Sequence, residues 1–565
     1  MRRPYKDVAP EDIFIDSTNL PAHEFGQFEG NVERPISQRA ILGLGIVFLA
    51  VVGVFFSRSY ALQIQQGSEM AAVSIANTID SSLVFATRGV VYDRVGTEIA
   101  WNELDETASS TIPYALRKYA PLPGLAHLLG WLRYPKSDAS GVWWRETYTP
   151  MAGIEASFDD FLRGTNGRSM VEADARGRVQ RENIVSPAIN GTDLHLSIDA
   201  ELQSELYRVL WRHTQANHFL GGAAVIMDVH TGEVLALTSF PEYDHTAFTE
   251  GDSEIVARAY SDERSPVLDR AVSGVFAPGS IVKPMFAAAA LKEGVITPEK
   301  EIVSTGFISI PNPYDPDKPT IFRDWTVHGP VDMRTAIAVS SDEYFYTIGG
   351  GYGTQAGLGI GRIDEYSRAF GLAQKTGIAL PGEKEGIIPT PEWKLETFGP
   401  DDPWRIGNTY HTAIGQYGFL VTPIQAVRFT AAIANGGQLL TPQLLASSTP
   451  QKKAVGISDT HLKVAREGMR MAVTSNRSDA TVKSLNIPGI QIAGKTGTAQ
   501  LGNRNQWMNS WSVGFWPSDN PRYAYAVVLE HAPAGTLSGA APGLRPFFEW
   551  LVANRPEYVT MPAQE

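Results

Sequence analysis

The sequence predicts an α/β (α+β) domain, one sheet with helices packed on it, set behind a single membrane-spanning helix and a small β-rich region. Three observations lead there. Between Arg39 and Arg58 run 18 residues without a charge, just enough for a helix to cross a bilayer core. Two β-rich runs, Gly222–Asp228 and Glu233–Thr238, flank the turn His230-Thr231-Gly232 and read as a hairpin. A block of helical stretches follows at Ile281–Glu293, Met333–Ile348, Ile363–Phe370, Pro423–Asn435 and Ser458–Val473. Strands then return at Ile490–Ala493, Ser510–Phe515 and Tyr523–Glu530, with a last helix at Arg545–Ala553. Strands, helices, then strands imply one sheet closed by both ends of the domain rather than a regular βαβ alternation.

Taken in order, residues 1–39 mix Pro, Asp, Glu and Asn without period and read as a mostly disordered tail. Residues 40–57 are apolar on every side, unlike a core helix with a polar face, and lie too far from the start for a cleaved signal sequence. Arg34 and Arg39 precede the span closely and only Arg58 follows it, so the positive-inside rule puts the tail in the cytoplasm and the rest outside. Residues 58–80 read as a helical stalk with Leu62, Ile64, Ala71, Ile75 and Ile79 on a loose apolar face. From residue 84, short alternating runs such as Gly89–Ala100 and Gly191–Asp199 suggest small β units, and Ala200–His213 is an amphipathic helix. The expected domains are a tail (1–39), a transmembrane helix (40–57), a stalk and membrane-proximal region (58–215), a main domain (216–555) and a flexible end (556–565).

Composition excludes several classes. The 565 residues carry 48 Lys and Arg against 61 Asp and Glu, a net charge of −13, which argues against a nucleic-acid binder. With no Cys, the chain has no disulfide, thiolate zinc site, iron–sulfur cluster or thiol nucleophile.

Three short motifs can carry chemistry. In Pro278-Gly279-Ser280-Ile281-Val282-Lys283-Pro284, Ser280 opens an apolar helix and Lys283 sits one turn on, on the same face. A serine hydroxyl becomes a nucleophile when a base takes its proton, and a desolvated lysine is such a base; alone, the pattern more often marks a serine cap and a surface lysine. Ser340-Ser341-Asp342 puts two hydroxyls and a carboxylate inside an apolar run, where they need partners or back-bond to the preceding turn. Gly494-Lys495-Thr496-Gly497-Thr498 reads as a strand whose glycines admit a close ligand. From Gly489 it also fits the phosphate-loop spacing, but the strand-like residues before Lys495 and the poor helix start after it fail that motif's context.

The order Ser-x-x-Lys, Ser-x-Asp, Lys-Thr-Gly is more specific than its members, and the chain resembles a class B penicillin-binding protein, a peptidoglycan D,D-transpeptidase. The resemblance extends to Arg88–Ala100, to Gly153-Ile154-Glu155 with Asp159 and Leu162-Arg163-Gly164, to Gly191–Gln203, to Thr376–Glu383, and to Ile414-Gly415-Gln416 with Val421-Thr422-Pro423. The Ser-x-Asp form favours the elongation type, penicillin-binding protein 2.

The resemblance implies a serine penicillin-recognising transpeptidase fold on a small pedestal of the dimerisation type, with a small head at most. It implies Ser280 as nucleophile, Lys283 as general base, and Ser340 as proton relay helped by Lys495. The N–H groups of Ser280 and Thr498 would form an oxyanion hole. Thr496, Gly497 and Thr498 would bind the substrate carboxylate, and Asp342 would orient Ser340 or a substrate amide. It implies nascent peptidoglycan stem peptides as substrate, β-lactam antibiotics as inhibitors, a SEDS-type membrane glycosyltransferase as partner, and the bacterial plasma membrane as location. No cofactor and no nucleic acid are expected. Some proteins of this type hold zinc through a Cys in the middle of Ser-x-Asp; here that position is Ser341, and although Asp324 and His328 remain, no metal is expected. The alternatives within reach of the residues are a division-type transpeptidase, a non-turnover β-lactam or wall-fragment sensor, and a β-lactamase, whose hydrolytic carboxylate base cannot be located.

Overall fold

The computed structural model describes residues 37–69, 79–104, 112–173, 179–312, 315 and 317–559. They fall into two compact units, residues 1–81 with 170–183 and residues 82–169 with 184–565.

The first unit contains α1 (Gln38–Tyr60), capped at its start by the Ser37 hydroxyl, which accepts from the Ala40 N–H. With the turn that continues it to Gln65, it is the one described helix long and apolar enough to cross a membrane. The expected stalk is only partly helical: Leu62 and Ile64 continue from α1, Ile79 begins strand β1 (Ile79–Val84), and Ala71 and Ile75 lie outside the described residues. Ile79 opens Ile-Asp-Ser-Ser-Leu-Val, which has no helical period and offers β-compatible residues at both ends.

The second unit begins with a four-stranded sheet, β2 (Val91–Tyr92), β3 (Glu98–Glu103), β4 (Leu116–Tyr119) and β5 (Leu194–His195), in the order β5-β2-β3-β4. Two stretches that stand apart in sequence meet behind it. Arg88 Nε donates to Glu155 Oε2 at 2.5 Å and Arg117 Nε to Glu155 Oε1 at 2.7 Å, all three buried, while Arg88 Nη1 reaches Asp159 at 2.6 Å. Glu155 stands in a short helix, α2 (Gly153–Ser157). Burial pushes the Glu155 carboxyl up, but Arg117 and Arg88 outweigh it and hold the group below the usual carboxylate range.

Helix α3 (Ala200–Ala216) is capped by Asp199, whose carboxylate accepts from the Leu202 N–H at 2.9 Å. It leads into the main sheet. Strands β6 (Gly221–Asp228) and β7 (Val234–Phe240) form the hairpin read from the sequence. The stretch that carries Ser280 is a tight 3₁₀ turn (Gly279–Val282) running into α4 (Lys283–Lys292). Then come the hairpin β8 (Phe307–Ile310) and β9 (Thr320–Arg323), and helices α5 (Met333–Val339), α6 (Asp342–Gly350), α7 (Ile406–Ala413), α8 (Pro423–Ala434) and α9 (Asp459–Thr474). Strands β10 (Ala493–Leu501), β11 (Trp507–Trp516) and β12 (Tyr523–Pro533) and helix α10 (Ala540–Asn554) close the domain.

The sheet is antiparallel throughout, in the order β7-β6-β12-β11-β10, so the first and last strands of the domain are neighbours. Successive side chains on a strand point to opposite faces, and both faces are apolar. Ala223, Val225 and Met227 join a core with α4, α8 and α9, whereas Ala224 and Ile226 join one with α3 and α10. The result is helices on both sides of one sheet. Helix α8 is buried at every position, and its Thr422 and Gln425 form a capping box.

Two expected elements differ. The run expected as one helix over Met333–Ile348 is broken: Val339 ends α5, Ser340 takes a left-handed conformation (φ 60°), and Ser341 caps α6 by accepting from the Tyr344 N–H. Serine caps satisfy the orphan N–H groups of a helix start better than they sit within one. The strand expected at Ile490–Ala493 begins at Ala493 and runs on through the Lys-Thr-Gly segment. No helix follows Lys495-Thr496, as a phosphate loop would require.

Candidate active site

A cleft of about 930 Å³ opens between the 3₁₀ turn, the Ser340 loop, β9, α7 and β10. Ser280, Ser340, Asp342, Thr496 and Thr498 all line it. The 3₁₀ turn keeps the spacing argument intact, because residues i and i+3 eclipse there, and Pro284 falls at the helix start where no N–H is missed. Gly279 is left-handed (φ +54°), and a Cβ there would stand 2.9 Å from Thr498 O. A Cβ on Gly497 would stand 2.6 Å from Pro278 O. These two glycines let β10 lie against the turn that carries Ser280. The turn is held from elsewhere as well: Gly279 N–H donates to Gly415 O and Trp511 Nε1 to Ala277 O, each at 2.9 Å.

Strand alternation sorts the Lys-Thr-Gly segment. Thr496 and Thr498 face the cleft, while Lys495 and Gly497 face inward. Gly497 therefore acts as a spacer against the turn rather than as part of the cleft wall. Lys495 is fully buried and its Nζ donates to Ser340 Oγ and to Thr496 O, each at 2.8 Å. Burial, and after it the nearby Lys283, lower the Lys495 amine well below its ordinary value.

Lys283 is also fully buried. Its Nζ donates to Asp342 Oδ1 at 2.6 Å and Ser340 O at 2.8 Å, with Ser340 Oγ at 3.4 Å. Asp342 is thus bound to Lys283, not to Ser340. Burial raises the Asp342 carboxyl above its usual range, although the Lys283 charge pulls the other way. The Ser340 hydroxyl is the meeting point of the two lysines, presented there by its left-handed backbone, a conformation that costs about 1–3 kcal/mol in a residue with a side chain. A hydroxyl both accepts and donates, so this chain can pass a proton between the cleft and either amine.

Behind the Ser340 loop, Ser341 Oγ donates to Asp324 Oδ2 at 2.7 Å and His328 Nδ1 lies 2.8 Å from Asp479 Oδ2. Burial opposes ionisation of Asp324, but the His328 contact and nearby Lys283 hold its carboxyl down at about 2. Ser341 offers a hydroxyl where zinc would want a thiolate, and that hydroxyl already donates to Asp324. This donor set does not fit the metal, and among the described residues no cluster of three or more His, Cys, Asp or Glu is arranged to hold one.

The cleft also contains residues that the motifs did not single out: Arg323, Trp325, Tyr346, His411, Tyr417 and Asn505. They come from β9, α6, α7 and loops, where no local pattern marks them. The His411 ring lies tilted against Phe322 and edge-on to Tyr346, and burial lowers it from its ordinary value, against the pull of Asp342.

A buried lysine pair joined through a serine, opening onto a second serine at a helix start, defines a serine acyl-transfer domain. The chain belongs to the penicillin-binding protein transpeptidase family: residues 222–549 match the penicillin binding protein transpeptidase domain and residues 110–196 the penicillin-binding protein dimerisation domain. It is 29% identical to the peptidoglycan D,D-transpeptidase MrdA of Haemophilus influenzae over 95% of each chain. To the protein of that name from Acinetobacter baumannii it is 35% identical, over 73% of this chain and 61% of the relative. Among solved structures, Pseudomonas aeruginosa PBP2 in complex with WCK 5153 superposes with a TM-score of 0.70 at 27% identity, covering 86% of this chain and all (100%) of that one. PBP2 of Helicobacter pylori, in complex with MreC, superposes with a TM-score of 0.69 at 25% identity, over 84% and 99%.

Proposed function

We propose that the chain is a membrane-anchored peptidoglycan D,D-transpeptidase of the elongation type, which cross-links stem peptides through an acyl-enzyme on Ser280 and is inhibited by β-lactams. The observation that carries this reading is the meeting of two buried lysines at Ser340 in the cleft that Ser280 lines. The relatives named above support the elongation role.

In the proposed cycle, Ser280 Oγ attacks the penultimate carbonyl of a peptide ending in D-Ala-D-Ala. Lys283 takes the hydroxyl proton, and Asp342, kept easy to protonate by burial, shares the proton that Lys283 carries. The C–O bond to Ser280 forms and the C–N bond to the terminal D-Ala breaks. Ser340 hands the leaving amine its proton, with Lys495 behind it. Thr496 and Thr498 take the terminal carboxylate, and the N–H groups of Ser280 and Thr498 stabilise the oxyanion. An amine from a second stem peptide then attacks the acyl carbon and frees Ser280. A β-lactam enters as the donor does and stays attached.

The apolar α1 fits a single-pass anchor. We extend the reading to residues 1–39 in the cytoplasm, the domain after the span outside, a membrane-proximal region to 215 and a transpeptidase domain over 216–555. The partners would be a SEDS-type glycosyltransferase, read from the resemblance, and an equivalent of the MreC bound by the Helicobacter relative.

The test is labelling of the full chain in detergent with a fluorescent penicillin, beside Ser280→Ala. A stable adduct on the parent and none on the variant is expected. Equal labelling of both, or rapid release of hydrolysed drug by the parent, overturns the reading.

A further inference from the structure

Ser340 falls in the break between α5 and α6, in a left-handed conformation that a residue with a side chain keeps only when its surroundings over-determine it. Lys283 Nζ holds its carbonyl. The residues on either side are held from two segments outside the helices. Before Ser340, Trp325 Nε1 donates to Val339 O at 3.1 Å, and Thr481 donates to Ala338 O through its N–H at 3.2 Å and its Oγ1 at 3.3 Å. After it, Ser341 Oγ donates to Asp324 Oδ2 at 2.7 Å, and the Glu343 N–H donates to the same oxygen at 2.9 Å. One segment thus follows β9, at Asp324 and Trp325, and the other follows α9, at Thr481.

His328 fastens the two segments to each other. Its side chain is buried, with Nδ1 2.8 Å from Asp479 Oδ2. Its Nε2 stands 3.5 Å from Asp324 Oδ1, an ion-pair distance rather than a good hydrogen bond. Burial lowers the ring, but Asp324 and Asp479 outweigh it and raise it above its ordinary value. Arg477 completes the fastening: Nε donates to Asp479 Oδ1 at 2.9 Å, and Nη2 to Asp479 Oδ2 at 2.8 Å and His328 O at 3.0 Å. Asp324, Trp325 and Thr481 line the cleft, whereas His328 and Asp479 stand behind it.

Building on the transpeptidase reading, we propose that His328 is a positioning residue. With Asp479 and Arg477 it braces the two segments that fix the Ser340 turn, and so sets the Ser340 hydroxyl between Lys283 and Lys495. The brace is made of protein groups alone, because Ser341 commits its hydroxyl to Asp324 and Arg477 occupies Asp479. His328 acts through Ser340 and touches neither peptide nor drug.

The experiment uses the full chain in detergent and stopped-flow acylation by a fluorescent penicillin, over drug concentrations that separate the limiting rate from half-saturation. H328Q should lower the limiting rate by about 100-fold, the cost of a small misplacement, with half-saturation little moved. D479N should lower it by about tenfold, the worth of one charge-assisted hydrogen bond, and D479E should restore most of it. The deciding comparison is made in S340A, where H328Q should cost nothing further because the group it positions is gone. Thermal unfolding of each variant reports folding. A folded H328Q that acylates at the parent rate, or a loss that persists in full in S340A, overturns the brace. If H328Q does not fold, D479N alone and in S340A decides in the same way. Acylation lost by the parent on dialysis against EDTA and restored by Zn²⁺ also overturns it, since a metal then does the bracing. A parent that takes no penicillin overturns the transpeptidase reading instead.

Discussion

Two buried clusters in this chain each set two cations beside a buried carboxylate, the first with Asp159 at its edge, and behave differently. In the region that precedes the transpeptidase domain Arg88 and Arg117 each take one oxygen of Glu155. In the transpeptidase region Lys283 takes Asp342 while Lys495 turns to the Ser340 hydroxyl. A guanidinium stays charged and grips a carboxylate as a planar fork, so the first cluster locks two distant stretches together. An ammonium can give up its proton when buried, so the second can move one. The carboxylates differ accordingly: Glu155 is held below its usual range and Asp342 above it.

Breaking each cluster tests the contrast. Lys283→Ala should cut penicillin acylation by up to about 10⁴-fold, the upper range for a lost acid–base group, and should cost less stability than the loss of Glu155, because Asp342, already raised by burial, can take a proton once its partner is gone. Stopped-flow acylation beside thermal unfolding reads both. Glu155→Gln should do the reverse, costing about 3–5 kcal/mol because the buried Arg117 loses its anion and Arg88 is left with Asp159 alone, while molecules that remain folded acylate normally; denaturant unfolding measures it. Lys495→Arg keeps the charge but cannot offer a neutral amine, and should slow acylation by about 100-fold. Arg88→Lys, the opposite swap, should leave acylation alone and lower stability.

The smallest effect concerns pH. His127 and His245 are buried neutral, with burial lowering them from 6.5 to about 3 and about 4. The unfolded chain therefore binds more protons below about 6.5, so stability is full above that pH and declines as it falls toward 4. Each group should cost about 1 kcal/mol per pH unit below 6.5. Thermal unfolding at pH 7.5, 6 and 5 should show the decline, and His127→Gln should make it shallower by the share of one histidine.

The sequence was most informative where chemistry is local. Ser280 and Lys283 sit three apart, and their face could be read from spacing; the β6–β7 hairpin was legible from two β-rich runs around His230-Thr231-Gly232. What could not be read is pairing across distance. Lys283 finds Asp342 59 positions on, and Arg88 finds Glu155 67 positions on. The helix break at Ser340 was hidden because apolar residues continue on both sides of it, so periodicity alone ran straight through. Its cause is a backbone angle and a serine cap, neither of which alters the hydrophobic pattern. Arg323 and His411 were invisible for a related reason: a lone cation on a strand end and a lone histidine on a short helix carry no motif.

The contact between β10 and the Ser280 turn is set by the lack of two methyl groups, at Gly279 and Gly497. That makes the floor of the cleft a mechanical stop. Any side chain at position 497 would wedge strand from turn and shift Ser280 and Thr498 together, so mutational escape from an inhibitor has little room at that seam and must be sought on the opposite wall.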